Sequence, residues 1–132
     1  MANHNIIPQG EQARFIVKSN RADFSFEDSD YSLEIIYGMN GQRITIGKDE
    51  FVKEGNDWTV RFSTSGIIGS MTARLTVNFE DEDCEGGIRK EVDEQIIGFV
   101  TTAPCARLLR LIQLAFNRGQ HIISYTYIKN GE

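Results

Sequence analysis

Cysteine, proline and long apolar runs are all scarce in this chain of 132 residues. Its two cysteines, Cys84 and Cys105, are too few for a disulfide framework, and the sequence leaves open whether they pair or stay as free thiols. No apolar run approaches the roughly 20 residues that a membrane-spanning helix needs. The first twelve residues, MANHNIIPQGEQ, lack the basic and apolar regions of a secretory signal. These absences predict a soluble protein with no membrane segment and no signal peptide.

Positive charge is also scarce over most of the chain, whose net charge is −5. Residues 1–102 carry 10 Lys and Arg against 18 Asp and Glu, whereas residues 103–132 carry four against one. Proteins that bind nucleic acid concentrate cations on one surface. The acidic body therefore argues against nucleic acid as the main partner, and the basic C-terminal segment keeps that option open.

Catalytic motifs are missing as well. The only histidines are His4, in the N-terminal segment, and His121, which leaves His121 as the one credible general base. Neither Ser65 nor Ser70 lies in a nucleophile elbow, and the glycines beside them lack the lysine of a phosphate-binding loop. We therefore predict a protein that is not an enzyme, with no catalytic residues and no cofactor.

What the sequence does contain is hydrophobic alternation. Apolar residues occupy every second position from Trp58 to Phe62 and again from Met71 to Phe79. A period of two places alternate side chains on opposite faces of a strand, so both segments are predicted as half-buried strands. The predicted core comprises Leu33, Ile35, Trp58, Val60, Phe62, Leu75, Val77 and Phe79.

Turn residues separate these and further strands. Asn40-Gly41 predicts a two-residue type I′ hairpin, and Gly55-Asn56-Asp57 predicts a second tight connection. Within Ile88–Thr101 the apolar residues change parity near Ile96, which indicates a bulge or a change of sheet. Frequent turns between short strands predict an all-β antiparallel sandwich of the Ig-like or jelly-roll type, with seven to eight strands.

The C-terminal segment has a different period. From Pro104 to Phe116 apolar residues recur at spacings of three and four, which predicts one amphipathic helix before a final strand. The predicted organisation is a flexible leader (1–12), a sandwich (13–102) and a helix with a final strand (103–132). This last part packs either on its own sandwich or on a neighbouring copy. The residues expected at such an interface are Arg107, Arg110, Leu111 and Leu114.

An acidic run follows the strand that ends near Phe79. Asp81, Asp83 and Glu85 precede a glycine pair with the spacing of a calcium loop, but Val92 occupies the position where an EF-hand requires a bidentate glutamate. An EF-hand is excluded. Two interpretations stay open: a solvated hairpin loop, which we favour, and a cation site of another kind.

Aromatic residues raise the question of ligand stacking. Parity places Trp58, Tyr31 and Tyr37 with the core residues, whereas Tyr125 and Tyr127 share one face of the final strand and are not assigned. Aromatic side chains on an exposed sheet face stack on sugar rings or bases. A carbohydrate- or ligand-binding sandwich is therefore the alternative function.

Several elements recur in a known group of proteins: a strand that starts at Trp58, a turn over residues 66–69, an alternating strand from Met71, and an acidic loop that closes on Gly87. With these elements, residues 15–100 resemble small β-sandwich proteins encoded in prophage and mobile-element regions of gut Bacteroidetes. They are also similar to N-terminal domains of phage baseplate and tail-fibre proteins. The resemblance implies a virion or tail component with no catalytic residues.

The predicted function is therefore that of a structural or assembly module that acts through protein–protein packing. Its expected partners are further copies of the chain, in a homo-oligomer, or a longer virion or tail protein. Its expected location is the virion or the cytoplasm of a bacterial host.

Overall fold

Strands dominate the computed structural model, which describes residues 5–102 and 121–128. Two single-turn 3-10 helices, Lys48–Glu50 and Glu85–Gly87, interrupt the strands. The predicted helix from Pro104 to Phe116 lies outside the described residues. The strands are β1 (Ile6–Pro8), β2 (Gln12–Lys18), β3 (Asp30–Tyr37), β4 (Gln42–Gly47), β5 (Val52–Glu54), β6 (Asp57–Ser63), β7 (Gly69–Glu80), β8 (Ile88–Thr101) and β9 (Ser124–Ile128).

The strands form two sheets. The five-stranded sheet has the order β1-β8-β7-β3-β4, and the four-stranded sheet has the order β5-β6-β2-β9. If β2 to β8 are lettered B, C, C′, D, E, F and G, these orders are those of the immunoglobulin sandwich with one added strand, C′. The C-terminal strand β9 then takes the edge position that strand A holds in that fold. The predicted all-β, Ig-like sandwich is confirmed.

The structure differs from the predicted fold in two details. The described part of the chain has nine strands rather than seven to eight, and β1 pairs with β8 in parallel, so the sandwich is not wholly antiparallel. Residues 6–8, assigned from the sequence to a flexible leader, form β1. A strand of three residues is too short to show alternation, and its partner, residues 99–101, lies far along the chain.

The core follows the predicted register. On β7 the side chains of Leu75 and Val77 are fully buried, whereas Thr72, Arg74 and Thr76 are partly exposed on the outer face. Seven of the eight predicted core residues are buried, and Trp58 is half-buried and packs against that core. Alternation along two strands was therefore sufficient to identify the buried face of each sheet.

The hairpin between β3 and β4 lies where Asn40-Gly41 predicts it, but its turn is of another type. The Gly41 N–H donates to the Gly38 carbonyl at 3.3 Å, with Met39 and Asn40 between them. A type I′ turn requires a positive φ at Asn40, and among the described residues only glycines have one. Gly38 and Gly41, with φ of 77° and 65°, supply the left-handed conformations instead.

A bulge in β8 confirms the parity change near Ile96. Gly98 lies opposite Met71 while Ile96 lies opposite Thr72, so Ile97 is the additional residue. At Gly98 a Cβ atom would lie 3.2 Å from the Asn5 carbonyl oxygen, so glycine allows the segment before β1 to approach β8.

Candidate functional site

Asp93 is the one charged residue that is buried within the described ranges, with 5% of its surface exposed. It lies on β8 opposite Leu75 of β7, so its side chain points between the sheets. An ionised carboxylate is costly to bury unless it accepts hydrogen bonds. The role of Asp93 therefore follows from the groups that form hydrogen bonds with its carboxylate.

Those partners belong to the segment that leads into β9. One carboxylate oxygen of Asp93 lies 2.7 Å from Nδ1 of His121. The other accepts the backbone N–H groups of Ile122 at 2.7 Å and of Ile123 at 3.3 Å. The carboxylate thus holds three consecutive residues that arrive from the far end of the sequence.

Gln95 of β8 and Ser19, which directly follows β2, complete this arrangement. The Gln95 side-chain amide donates to the Ile123 carbonyl at 2.7 Å, and the Ser19 hydroxyl donates to the Ile122 carbonyl at 2.7 Å. We call Ser19, Asp93, Gln95 and residues 121–123 the Asp93 clasp. Residues 122 and 123 lie just before β9 begins to pair with β2. Their backbone N–H and carbonyl groups form hydrogen bonds with the side chains of the clasp instead of with a neighbouring strand.

The contact between His121 and Asp93 has the geometry by which a carboxylate orients a catalytic imidazole. In the described residues, however, the hydroxyl of the clasp, on Ser19, donates to a backbone carbonyl. Five of the described contacts of the clasp join residues 121–123 to Ser19, Asp93 and Gln95, and so hold the segment before β9. His121, the candidate base in the sequence, therefore lies in this group of contacts, with Asp93 as its partner.

A second polar group lies nearer the start of β8. Arg21 contacts both carboxylate oxygens of Glu91, at 3.0 and 3.3 Å, and it also pairs with Asp23 at 2.6 Å. Arg89 pairs with Glu91 as well, and both guanidinium groups lie over the Phe79 ring, with centroid distances of 5.2 and 4.8 Å. The hydrogen bond from Arg21 lowers the pKa of Asp23. At the start of β8 the inward positions are held by Arg89 and Glu91 rather than by apolar residues. The charged network therefore covers the edge of the core at Phe79.

Tyr125 of β9 lies close to the clasp. Its ring is buried, and within the described part of the chain its hydroxyl has no hydrogen-bond partner. Burial, and to a lesser degree the negative charge of Asp93, raise the pKa of Tyr125 well above its ordinary value of 10. Ionisation of this phenol is thus coupled to unfolding.

This coupling predicts a loss of stability in alkali. An unfolded tyrosine ionises near pH 10, so the raised folded pKa contributes stability that is complete below about pH 10 and is lost as the pH rises further. Because Tyr125→Phe removes the ionising group, we expect the variant to lose less stability between pH 9 and pH 11, measured by urea unfolding. Tyr37→Phe is the matched control. An equal loss in Tyr125→Phe and wild type would contradict the coupling.

The acidic run forms the hairpin between β7 and β8. Asp81 accepts a hydrogen bond from Arg89 at 3.2 Å and another from the backbone N–H of Asp83 at 3.0 Å, while Glu85 is exposed. Over residues 5–102 and 121–128, no cluster of three or more His, Cys, Asp or Glu side chains could hold a metal ion. Cys84 in this hairpin is half-buried, and Cys105 lies outside the described residues.

We expect calcium to leave the stability of the protein unchanged. A ligand raises the melting temperature only if it prefers the folded state, and the Asp81 carboxylate is already engaged by Arg89. Thermal unfolding with and without millimolar calcium tests this. A calcium-dependent rise in melting temperature that Asp81→Asn and Asp83→Asn abolish would establish a cation site instead.

The aromatic candidates lie mainly in or against the core. Tyr31 is buried, its hydroxyl donates to the Phe26 carbonyl at 2.7 Å, and burial raises its pKa to about 12. Tyr37, Trp58 and Tyr127 are partly buried against the core. The predicted core placement of Tyr31 is confirmed, and that of Tyr37 and Trp58 is confirmed in part.

The outer face of the five-stranded sheet contains a feature that the sequence analysis did not identify. Ile6 and Phe99 are neighbours in one row across the strands, and Ile96 and Ile36 flank Thr72 in the next row. The more exposed Ile68 and Met39 lie at the same end of the sheet. We call Ile6, Ile36, Met39, Ile68, Ile96 and Phe99 the apolar end patch.

The predicted interface residues Arg107, Arg110, Leu111 and Leu114 lie outside the described residues.

Comparison of the chain with family models, with curated proteins and with solved structures found no match. None of the described helices has the length and apolar character needed to span a lipid bilayer.

Proposed function

We propose that the protein is a non-catalytic assembly module that packs through the outer face of its five-stranded sheet against a second copy of itself. The apolar end patch is the observation that carries this proposal. Ile68 is 53% exposed, and together with Ile36 and Met39 it lines a groove of about 350 Å³. Exposed apolar side chains gathered at one end of a sheet, beside charged residues, are typical of protein interfaces.

The charges beside the patch are arranged so that the face complements itself. Glu94, Arg74 and Glu34 follow one another across β8, β7 and β3, and Arg43 on β4 pairs with Glu34 at 3.2 Å. The charge therefore alternates from strand to strand: negative, positive, negative, positive. Alternation of this kind favours a partner that carries the same pattern in reverse order.

A two-fold axis parallel to the strands, between β7 and β3, provides that reversal. It places Arg74 of one copy opposite Glu34 of the other and brings the two apolar end patches to the same end of the interface. Such a contact is isologous, as in most homodimers. We propose a virion or tail assembly as the setting, from the strand, turn and acidic-loop elements of the sequence between Trp58 and Gly87.

Sedimentation equilibrium tests the proposal, since a monomer has a mass of 14.9 kDa. We expect wild type to exceed this mass, and Ile68→Glu to weaken association by at least about tenfold, or 1.4 kcal/mol. Val52→Glu is the matched control: Val52 is 49% exposed but lies on the four-stranded sheet, so its association should equal that of wild type.

A charge swap tests the orientation of the two copies. Arg74→Glu and Glu34→Arg should each weaken association, and the double variant should restore it because the intermolecular pair is re-formed with reversed signs. A wild-type protein that stays monomeric at high micromolar concentration would contradict the proposal. Equal effects of Ile68→Glu and Val52→Glu would contradict it as well.

A further inference from the structure

A groove of about 460 Å³ lies at the opposite end of the sandwich from the apolar end patch. It is bounded by residues 17–20, where β2 ends, by residues 24–26, and by residues 56–58, where β6 begins. We call it the Trp58 groove. Its volume falls within the range of about 300–1,000 Å³ that is usual for small-molecule sites.

The aromatic wall of the groove is rigidly supported. The Trp58 ring is half-buried and packs on Phe26 with a centroid distance of 6.0 Å and an interplanar angle of 31°. Phe26 is itself buried and contacts Phe24, Tyr31 and Phe51 within 6.0 Å. The indole is therefore a platform whose position is set before any ligand arrives.

The polar wall of the groove offers both hydrogen-bond donors and acceptors. The side-chain amides of Asn20 and Asn56 have no hydrogen-bond partner among the described residues, and both residues are exposed. Lys18 and Asp57 lie 3.9 Å apart, so their charges balance each other. A side-chain amide donates from its nitrogen and accepts at its oxygen, as each hydroxyl of a sugar also does.

From these features we propose that the Trp58 groove binds a neutral saccharide, with one sugar ring on Trp58 and its hydroxyl groups bonded to Asn20 and Asn56. An aromatic face suits the apolar C–H face of a sugar ring. An anion would need a cation without a partner, and Lys18 is paired with Asp57. A metal ion would need several converging carboxylates, and among the described residues Asp57 is the one acidic residue that lines the groove.

This proposal does not depend on self-assembly, because the groove and the apolar end patch lie at opposite ends of the sandwich. Trp58 is the only tryptophan in the chain, so its fluorescence reports on the groove directly. The probes are glucose, galactose, mannose, N-acetylglucosamine, maltotriose and triacetylchitotriose, each titrated into the full-length protein. We expect at least one of them to shift the Trp58 emission with a dissociation constant on the order of 1 mM or below.

Variants locate the binding. Asn20→Ala and Asn56→Ala lie at exposed positions and should weaken binding of the active probe by at least about tenfold without changing the melting temperature. Asn40→Ala, in the turn at the other end of the sandwich, is the matched control and should bind as wild type does. The absence of a saturable shift with any of the six sugars would overturn the proposal. So would a shift that Asn20→Ala and Asn56→Ala leave unchanged.

Discussion

Replacement of Asp93 with alanine is expected to lower the free energy of unfolding by about 3–5 kcal/mol, the usual result when one partner of a buried charged contact is removed. The variant would leave the N–H groups of Ile122 and Ile123 without their acceptor, although both residues are buried. Urea unfolding followed by circular dichroism measures the change.

Two matched variants separate the clasp from a general effect on β8. Glu94→Ala alters the neighbouring residue, which points outward and pairs with Arg74, so we expect a loss of less than about 1 kcal/mol. The loss for His121→Ala should fall between the two, because the His121 side chain is 24% exposed and its removal leaves intact the hydrogen bonds that Asp93 accepts from the backbone. Equal losses in Asp93→Ala and Glu94→Ala would refute the clasp.

We also expect Leu75→Ala to cost about 2–5 kcal/mol, through lost burial and the cavity left behind. Leu75 is fully buried and lies between Leu33 of β3 and Asp93 of β8. Thr76→Ala, one residue along on the outer face, is the control and should cost less than about 1 kcal/mol. A larger loss for Thr76→Ala than for Leu75→Ala would mean that the strand faces the other way.

The face of β7 was predictable because it alternates strictly and lies in the middle of its sheet. Each apolar side chain from Met71 to Phe79 meets the core, and each polar neighbour meets the outer surface. Neighbouring strands on both sides leave a central strand no other way to bury its apolar residues. Local pattern and tertiary structure agree here, so sequence alone was sufficient.

The candidate site was not predictable for the opposite reason. In β8 the apolar residues Ile88 and Val92 are about half exposed, while Asp93 is buried. The buried carboxylate is stabilised by backbone groups of residues 122 and 123, and no local pattern in β8 reveals contacts so distant along the chain. The apolar end patch was missed for a similar reason, because pairing between strands, rather than sequence proximity, brings its residues together.

The position of β9 also affects folding, because β2 near the start of the chain pairs with a strand more than 100 residues later. Its ladder with β2 joins residues 14–18 to residues 124–128, and Ser19 bonds a carbonyl group 103 positions further along the chain. Contacts of such high sequence separation slow folding, since a long loop must close before they form. During synthesis the edge of β2 that pairs with β9 stays open until residues 124–128 have left the ribosome. The nascent sandwich therefore carries an open strand edge at the stage when aggregation competes most strongly with folding.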